Sequence, residues 1–105
     1  MKKILISGAN GQLGKCLQRR AKNFPDFKFH FLTSQDWDIT DSDQTRKVFD
    51  EFQPDILINA AAYTNVDGAE EEREKAFAVN ADALLNISYQ CNQHNTFLIH
   101  ISTDY

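Results

Sequence analysis

Apolar and polar positions along this chain follow two periods, and the period switches several times. Lys3 to Ser7 is a short apolar run, Ile4-Leu5-Ile6, that stops at Gly8 and reads as a buried strand. From Gly11 to about Lys22 the spacing becomes helical, with Leu13, Cys16, Leu17 and the stem of Arg20 on one face. Phe24-Pro25-Asp26 breaks that helix. Phe27 to Thr33 alternates: Phe27, Phe29 and Phe31 point one way, Lys28, His30 and Leu32 the other. Trp37-Asp38-Ile39 reads as a very short third strand, weak or missing. Asp41 opens a second helix as N-cap, with Gln44 three residues on in a loose capping box, and Val48, Phe49 and Phe52 form its inner stripe. Pro54 stops it. Asp55 to Asn59 holds the continuous run Ile56-Leu57-Ile58, as expected of a strand covered on both faces. Asp67 and Glu70 repeat the capping spacing ahead of a third helix, about Glu71 to Gln93, with Phe77, Ala81, Leu84, Ser88 and Cys91 on one stripe. Thr96 to Ile101 is the last strand, and Ser102-Thr103-Asp104-Tyr105 sits at its carboxyl end.

Strands alternating with helices predict an α/β domain with a parallel sheet. The expected order is 3-2-1-4-5 in a doubly wound topology, with the sequence ending after the fifth strand. Right-handed crossovers put the first helix on one face and the other two on the opposite face. Composition changes this picture little. With 42% hydrophobic and 25% charged residues the chain is an ordinary globular domain, 1–105, with one core. The net charge is −4 and the basic residues form no block, so neither nucleic acid nor an anionic membrane is an expected partner. The apolar run after Met1-Lys2-Lys3 is too short for a secretory signal, which leaves the cytoplasm as the expected location. Cys16 and Cys91 read as reduced helix residues, and His30, His94 and His100 as structural, because none has metal-like spacing.

The strongest chemical signal is Gly8-Ala9-Asn10-Gly11-Gln12-Leu13-Gly14, with glycines at the first, fourth and seventh positions between a strand and a helix. Gly8 turns the chain sharply. Gly11 opens the helix where a side chain would block a phosphate, and Gly14 lets helix and strand pack closely. N–H groups and the dipole at a helix start then bind pyrophosphate. The position that carries an acid in NAD-binding folds, at the end of the second strand, is Thr33 or Ser34. No arginine follows to attract a 2′-phosphate, and Asp36 would serve only if the strand ran longer. This favours NADP(H), with NAD(H) as the alternative.

The G-x-x-G-x-x-G spacing resembles the extended branch of the short-chain dehydrogenase/reductase superfamily. Asp38-Ile39-Thr40-Asp41, Asn59-Ala60-Ala61-Ala62, Val79-Asn80-Ala81 and Ile101-Ser102-Thr103-Asp104-Tyr105 resemble further segments of it. Within that branch, Ala61-Ala62-Tyr63-Thr64-Asn65-Val66-Asp67 and Ser102-Thr103-Asp104-Tyr105 are similar to the dTDP-4-dehydrorhamnose reductases. Those enzymes use NAD(P)H to reduce the 4-keto group of a nucleotide-linked sugar in dTDP-L-rhamnose synthesis. The resemblance implies that Gly8, Gly11, Gln12, Leu13 and Gly14 line a pyrophosphate site and that Asp38 and Ile39 hold adenine. It places Ala60, Ala61, Ala62 and Thr64 beside the nicotinamide-side ribose. Thr103 becomes the Ser/Thr member of the catalytic triad, and Asp104 and Tyr105 border the substrate and cofactor pocket. Two other functions stay open: a non-catalytic NADP-binding regulator, as in the regulatory subunit of methionine adenosyltransferase, and an epimerase or dehydratase acting on another sugar nucleotide.

The same resemblance calls for a tyrosine followed four residues later by a lysine. Four residues after Tyr63 stands Asp67, after Tyr89 stands Gln93, and Tyr105 is the last residue. This chain is therefore expected to be an inactive N-terminal part of a longer enzyme. It is also expected to self-associate through the uncovered face of its last two strands.

Overall fold

The computed structural model describes residues 2–60 and 73–101, and of residues 73–79 the helix alone. Four strands and three helices alternate: β1 (Lys2–Ser7), α1 (Gln12–Ala21), β2 (Phe27–Leu32), α2 (Ser42–Phe52), β3 (Ile56–Asn59), α3 (Arg73–His94) and β4 (Phe97–His100). All pairings are parallel, in the order β2-β1-β3-β4. This is the expected doubly wound sheet with its weak third strand absent from the described residues. Trp37–Ile39 forms no strand. It is instead a turn that drives Trp37 (2% exposed) and Ile39 (7%) into the core.

One face of the sheet carries Leu5 and Leu57, joined by Trp37, Ile39, Val48 and Phe49, and by Ala83, Ile87 and Cys91 of α3. Leu98 packs against this cluster. In register, Leu5 lies beside Leu57 and Leu57 beside Leu98. The alternation of β2 holds: Phe27, Phe29 and Phe31 form a chain of ring contacts, whereas His30 lies 4.7 Å from the Phe52 ring.

Asp41 caps α2 as expected, its Oδ1 accepting from the N–H groups of Asp43 and Gln44. The capping box is modified. Gln44 accepts from the Asp38 N–H through Oε1 at 3.0 Å and donates through Nε2 to Asp41 Oδ2. The Asp41 N–H, which a standard box would satisfy, is already bonded to the Asp38 carbonyl. The buried stripe of α3 is Ala83, Ile87 and Cys91, while Ala81 and Ser88 are exposed. Small residues on several sides of this helix blur its period. Ile87, wholly buried, fixes the inner face.

α1 is covered more thinly. Gly14 is buried, Cys16 and Leu17 are half-buried, and Leu13 is 38% exposed. The strand residues facing away from α3 at the β4 edge are open as well, with Phe97 at 67% and Ile99 at 39%.

Candidate functional site

The carboxyl ends of β1, β3 and β4 lie side by side, because Ser7 pairs in register with Asn59 and Asn59 with His100. The segments singled out in the sequence start from this row. Gly8 follows Ser7, Ala60 follows Asn59, and Ile101 leads on to Thr103. Ligands of open α/β sheets bind beyond this end of the strands.

The glycine turn is built by backbone contacts. Gly8 has φ 70°, the left-handed region that disfavours a side chain. Its carbonyl accepts from the Gly11 N–H at 3.0 Å, and the Ala9 N–H donates to the Leu32 carbonyl at 3.0 Å, tying the turn to β2. Gln18, one turn further along α1 than the glycines, donates through Nε2 to the Ala9 carbonyl at 2.8 Å. Nothing in the spacing singled out Gln18. A Cβ on Gly14 would lie 2.5 Å from the Gly8 carbonyl oxygen and 2.6 Å from the Ala9 Cα, so this position is closed to any side chain.

The two well-described helix starts differ in a way that bears on ligand binding. α2 is closed by its own Asp41 carboxylate and has Asp43 in its first turn. α1 begins at Gly11 with no side-chain cap and no acid in its first turn. With no side-chain cap and no acid in that turn, its leading N–H groups suit an outside anionic acceptor. Gly11, Gln12 and Leu13 are exposed there.

Asp38 is exposed. Its Oδ1 accepts from the Thr40 N–H at 3.0 Å and hydroxyl at 2.6 Å, and the Gln44 amide holds its backbone N–H. Trp37, its neighbour, is anchored by Nε1 donating to Thr45 Oγ1 at 3.1 Å. Asp38 therefore stands at a fixed place, whereas the Ile39 side chain is spent in the core. The strand β2 stops at Leu32, and Asp36 turns back, its Oδ2 accepting from the N–H and hydroxyl of Thr33. The end of the second strand thus presents Thr33 with the exposed Asp36 carboxylate held against it.

Ala60 is half-buried at the end of β3. Ala61, Ala62, Thr64, Asp67, Glu70, Thr103, Asp104 and Tyr105 lie outside the described residues. The histidines hold structural contacts: His94 Nε2 lies 3.5 Å from Asp50 Oδ1, joining α3 to α2, and His100 meets Asn59. Among the described residues no group of three or more His, Cys, Asp or Glu is arranged to hold a metal ion, and no helix is long and apolar enough to cross a membrane.

A doubly wound parallel sheet whose first strand ends in an uncapped glycine turn defines a Rossmann-like α/β unit. The family model described as the RmlD substrate binding domain matches residues 1–105, and the chain belongs to that family. It is 38% identical over 105 residues to the dTDP-4-dehydrorhamnose reductase of Aggregatibacter actinomycetemcomitans, a match covering 100% of this chain and 36% of that protein. With the corresponding enzyme of Mycolicibacterium smegmatis it shares 45% identity over 105 residues, 98% of this chain and 31% of that protein. The solved dTDP-4-dehydrorhamnose reductase of Bacillus anthracis in complex with NADP aligns with a TM-score of 0.88 and 39% identity, over 100% of this chain and 37% of that one. The chain thus spans about a third of the length of these relatives.

Proposed function

We propose that this chain is the NADP(H)-binding part of a reductase that acts on the 4-keto group of dTDP-4-dehydrorhamnose in dTDP-L-rhamnose synthesis, with NAD(H) accepted at the same turn. The observation that carries the reading is the uncapped start of α1 at Gly11, set against the self-capped start of α2. The relative solved with NADP, similar over the whole chain, supports the choice of cofactor.

In this reading the N–H groups of Gln12, Leu13 and Gly14 hold the pyrophosphate against Gly8 and Gly11. Asp38 and the backbone of Ile39 border the adenine. Ala60, Ala61, Ala62 and Thr64 leave room for the nicotinamide-side ribose. Thr103 donates a hydrogen bond to the substrate carbonyl oxygen, and Asp104 and Tyr105 border the pocket. The bound nicotinamide supplies the hydride. Proton delivery needs a tyrosine activated by a lysine, since a neutral phenol with pKa near 10 is a poor donor at neutral pH. No tyrosine here has a lysine four residues on. The chain by itself binds cofactor in the cytoplasm-type reducing milieu but does not turn over.

Titration with NADPH tests the reading, followed by energy transfer from Trp37, the single tryptophan. Gly11→Val abolishes binding and leaves the far-UV spectrum unchanged; unaltered affinity in that variant refutes the turn as the site. NADPH oxidation with dTDP-4-dehydrorhamnose stays at background for this chain. Turnover that survives Thr103→Val refutes the mechanism.

A further inference from the structure

An all-apolar row would be the simple way to finish strands buried in a parallel sheet, and this chain does not use one. The last residues of β1, β3 and β4 are Ser7, Asn59 and His100. Ser7 and Asn59 are each 1% exposed, and His100 is exposed at the sheet edge. Ser7 Oγ donates to Asn59 Oδ1 at 2.6 Å, and Asn59 Nδ2 lies 3.1 Å from His100 Nδ1. An amide nitrogen can only donate, so His100 Nδ1 is the acceptor and the ring carries its proton on Nε2. The three side chains form one directed chain of hydrogen bonds across three strands, with Asn59 locked in a single orientation between two fixed partners.

This row is the shared base of the site. The glycine turn leaves it at Gly8, the chain beyond β3 at Ala60, and the chain beyond β4 at Ile101. One further backbone bond, Ile101 N–H to the Asn59 carbonyl at 3.0 Å, continues the alignment past His100. Apolar contacts tolerate sliding, whereas a directed chain of this kind has one geometry. We infer that His100 is a positioning residue: by accepting from Asn59 it fixes how the end of β4 sits relative to the Gly8 turn and Ala60, and so the spacing of the strand ends around the cofactor. This role rests on the dinucleotide reading above. It differs from a packing role, because what matters is an acceptor at the Nδ1 position and not the bulk of the ring.

Two measurements on the full chain test it. Nitrogen NMR of the imidazole is expected to report the Nε2–H tautomer, and an Nδ1–H tautomer overturns the inference. NADPH titration is expected to show binding weakened by about tenfold in His100→Leu, the scale of one lost hydrogen bond to the buried Asn59 amide. Binding within about twofold of the parent is expected in His100→Asn, whose Oδ1 falls where Nδ1 stood. Equal affinity in His100→Leu, or an His100→Asn variant as weak as His100→Leu, overturns the role even if both fold normally. If the parent chain itself binds no NADPH, the dinucleotide reading fails and the positioning role falls with it. A parent that binds beside an unimpaired His100→Leu removes the positioning role alone.

Discussion

Replacing Gly14 by alanine separates the close-packing account of the glycine turn from ordinary helix propensity, because the two predict opposite signs. In an open helix Gly→Ala stabilises by about 1 kcal/mol. Here the added Cβ would meet three backbone atoms, the Gly8 oxygen at 2.5 Å and the Cα and carbonyl carbon of Ala9 at 2.6 and 2.7 Å. None is the flexible end of a side chain, so relief requires moving α1 off the turn. Overpacking of that kind costs about 1–3 kcal/mol, and three backbone clashes put it at the upper end. The movement also strains the Gly11-to-Gly8 and Ala9-to-Leu32 bonds, each 3.0 Å long and each worth about 1 kcal/mol. The expected net effect is a loss of about 2–3 kcal/mol, which lowers the thermal midpoint of a domain this size by roughly 10 °C. Far-UV circular dichroism melts read it directly. Gly11→Ala is the comparison: its Cβ would meet only the Gly8 oxygen, at 3.3 Å, and with the N-cap change its midpoint should fall by about 5 °C at most, well short of the loss in Gly14→Ala. A Gly14→Ala midpoint equal to or above that of the parent refutes the packing argument.

Three further outcomes are expected. His30 is held below the ordinary histidine value of 6.5 by desolvation first, then by Lys28 and Lys3. The folded state prefers the neutral ring, so this contribution is complete above 6.5 and is lost as the pH falls below it; melts across that range should show the decline, and His30→Phe should flatten it. Burial pushes the Cys91 thiol up to about 11, while Cys16 is half-buried, so iodoacetamide should label Cys16 in the folded chain and Cys91 only on unfolding; equal rates by mass spectrometry contradict this. Phe97, Ile99 and Ile101 are 67%, 39% and 37% exposed at an edge strand, so a second copy of the chain should cover them, and light scattering should show association that Phe97→Lys weakens; a clean monomer at high concentration contradicts it.

The elements were legible in the sequence because each carries one clear period: the Phe27-Phe29-Phe31 alternation, the Val48-Phe49-Phe52 stripe and the Ile56-Leu57-Ile58 strand reappear in the structure, although Ile56 and Ile58 are only half-buried where cover on both faces was expected. The strand order came with the doubly wound topology as a whole, and crossover handedness fixed only which face each helix takes. What failed to show was contact between distant segments. The stripe of α3 was misplaced because Ala81 and Ser88 fit the period as well as Ala83 does, and only packing against α2 and the sheet chooses between them. Trp37 looked like strand because Trp37 and Ile39 alternate with Asp38, and its Nε1 partner, Thr45, lies in a different element. Ser7, Asn59 and His100 are 52 and 41 residues apart in sequence, and each alone reads as an unremarkable strand end. The site was legible only where it is local: the glycine turn is contiguous, whereas the row that aligns it with the other strand ends exists only after the sheet forms.

The three glycines of that turn do not have the same standing, and the difference bears on function. Gly8 is required by its φ of 70°, and Gly14 by the carbonyl and Cα atoms pressed against it. Both would be glycine in a protein that bound nothing. Gly11 has φ −79° and ψ 175°, extended backbone open to any residue, and a Cβ there would meet one atom, the Gly8 carbonyl oxygen, in a tight contact of 3.3 Å that a shift of a few tenths of an ångström relieves. It is also the N-cap of α1, where serine, threonine, aspartate or asparagine would stabilise the helix by roughly 0.5–2 kcal/mol over a residue with no cap and by a few tenths over glycine. The chain uses such a residue at the start of α2 and forgoes it here. A capping side chain at position 11 would fill the N–H groups of α1 and project into the space beyond the strand ends. Glycine at this position lowers helix stability slightly and keeps both the donors and the space open, which is the outcome a pyrophosphate requires and folding alone does not.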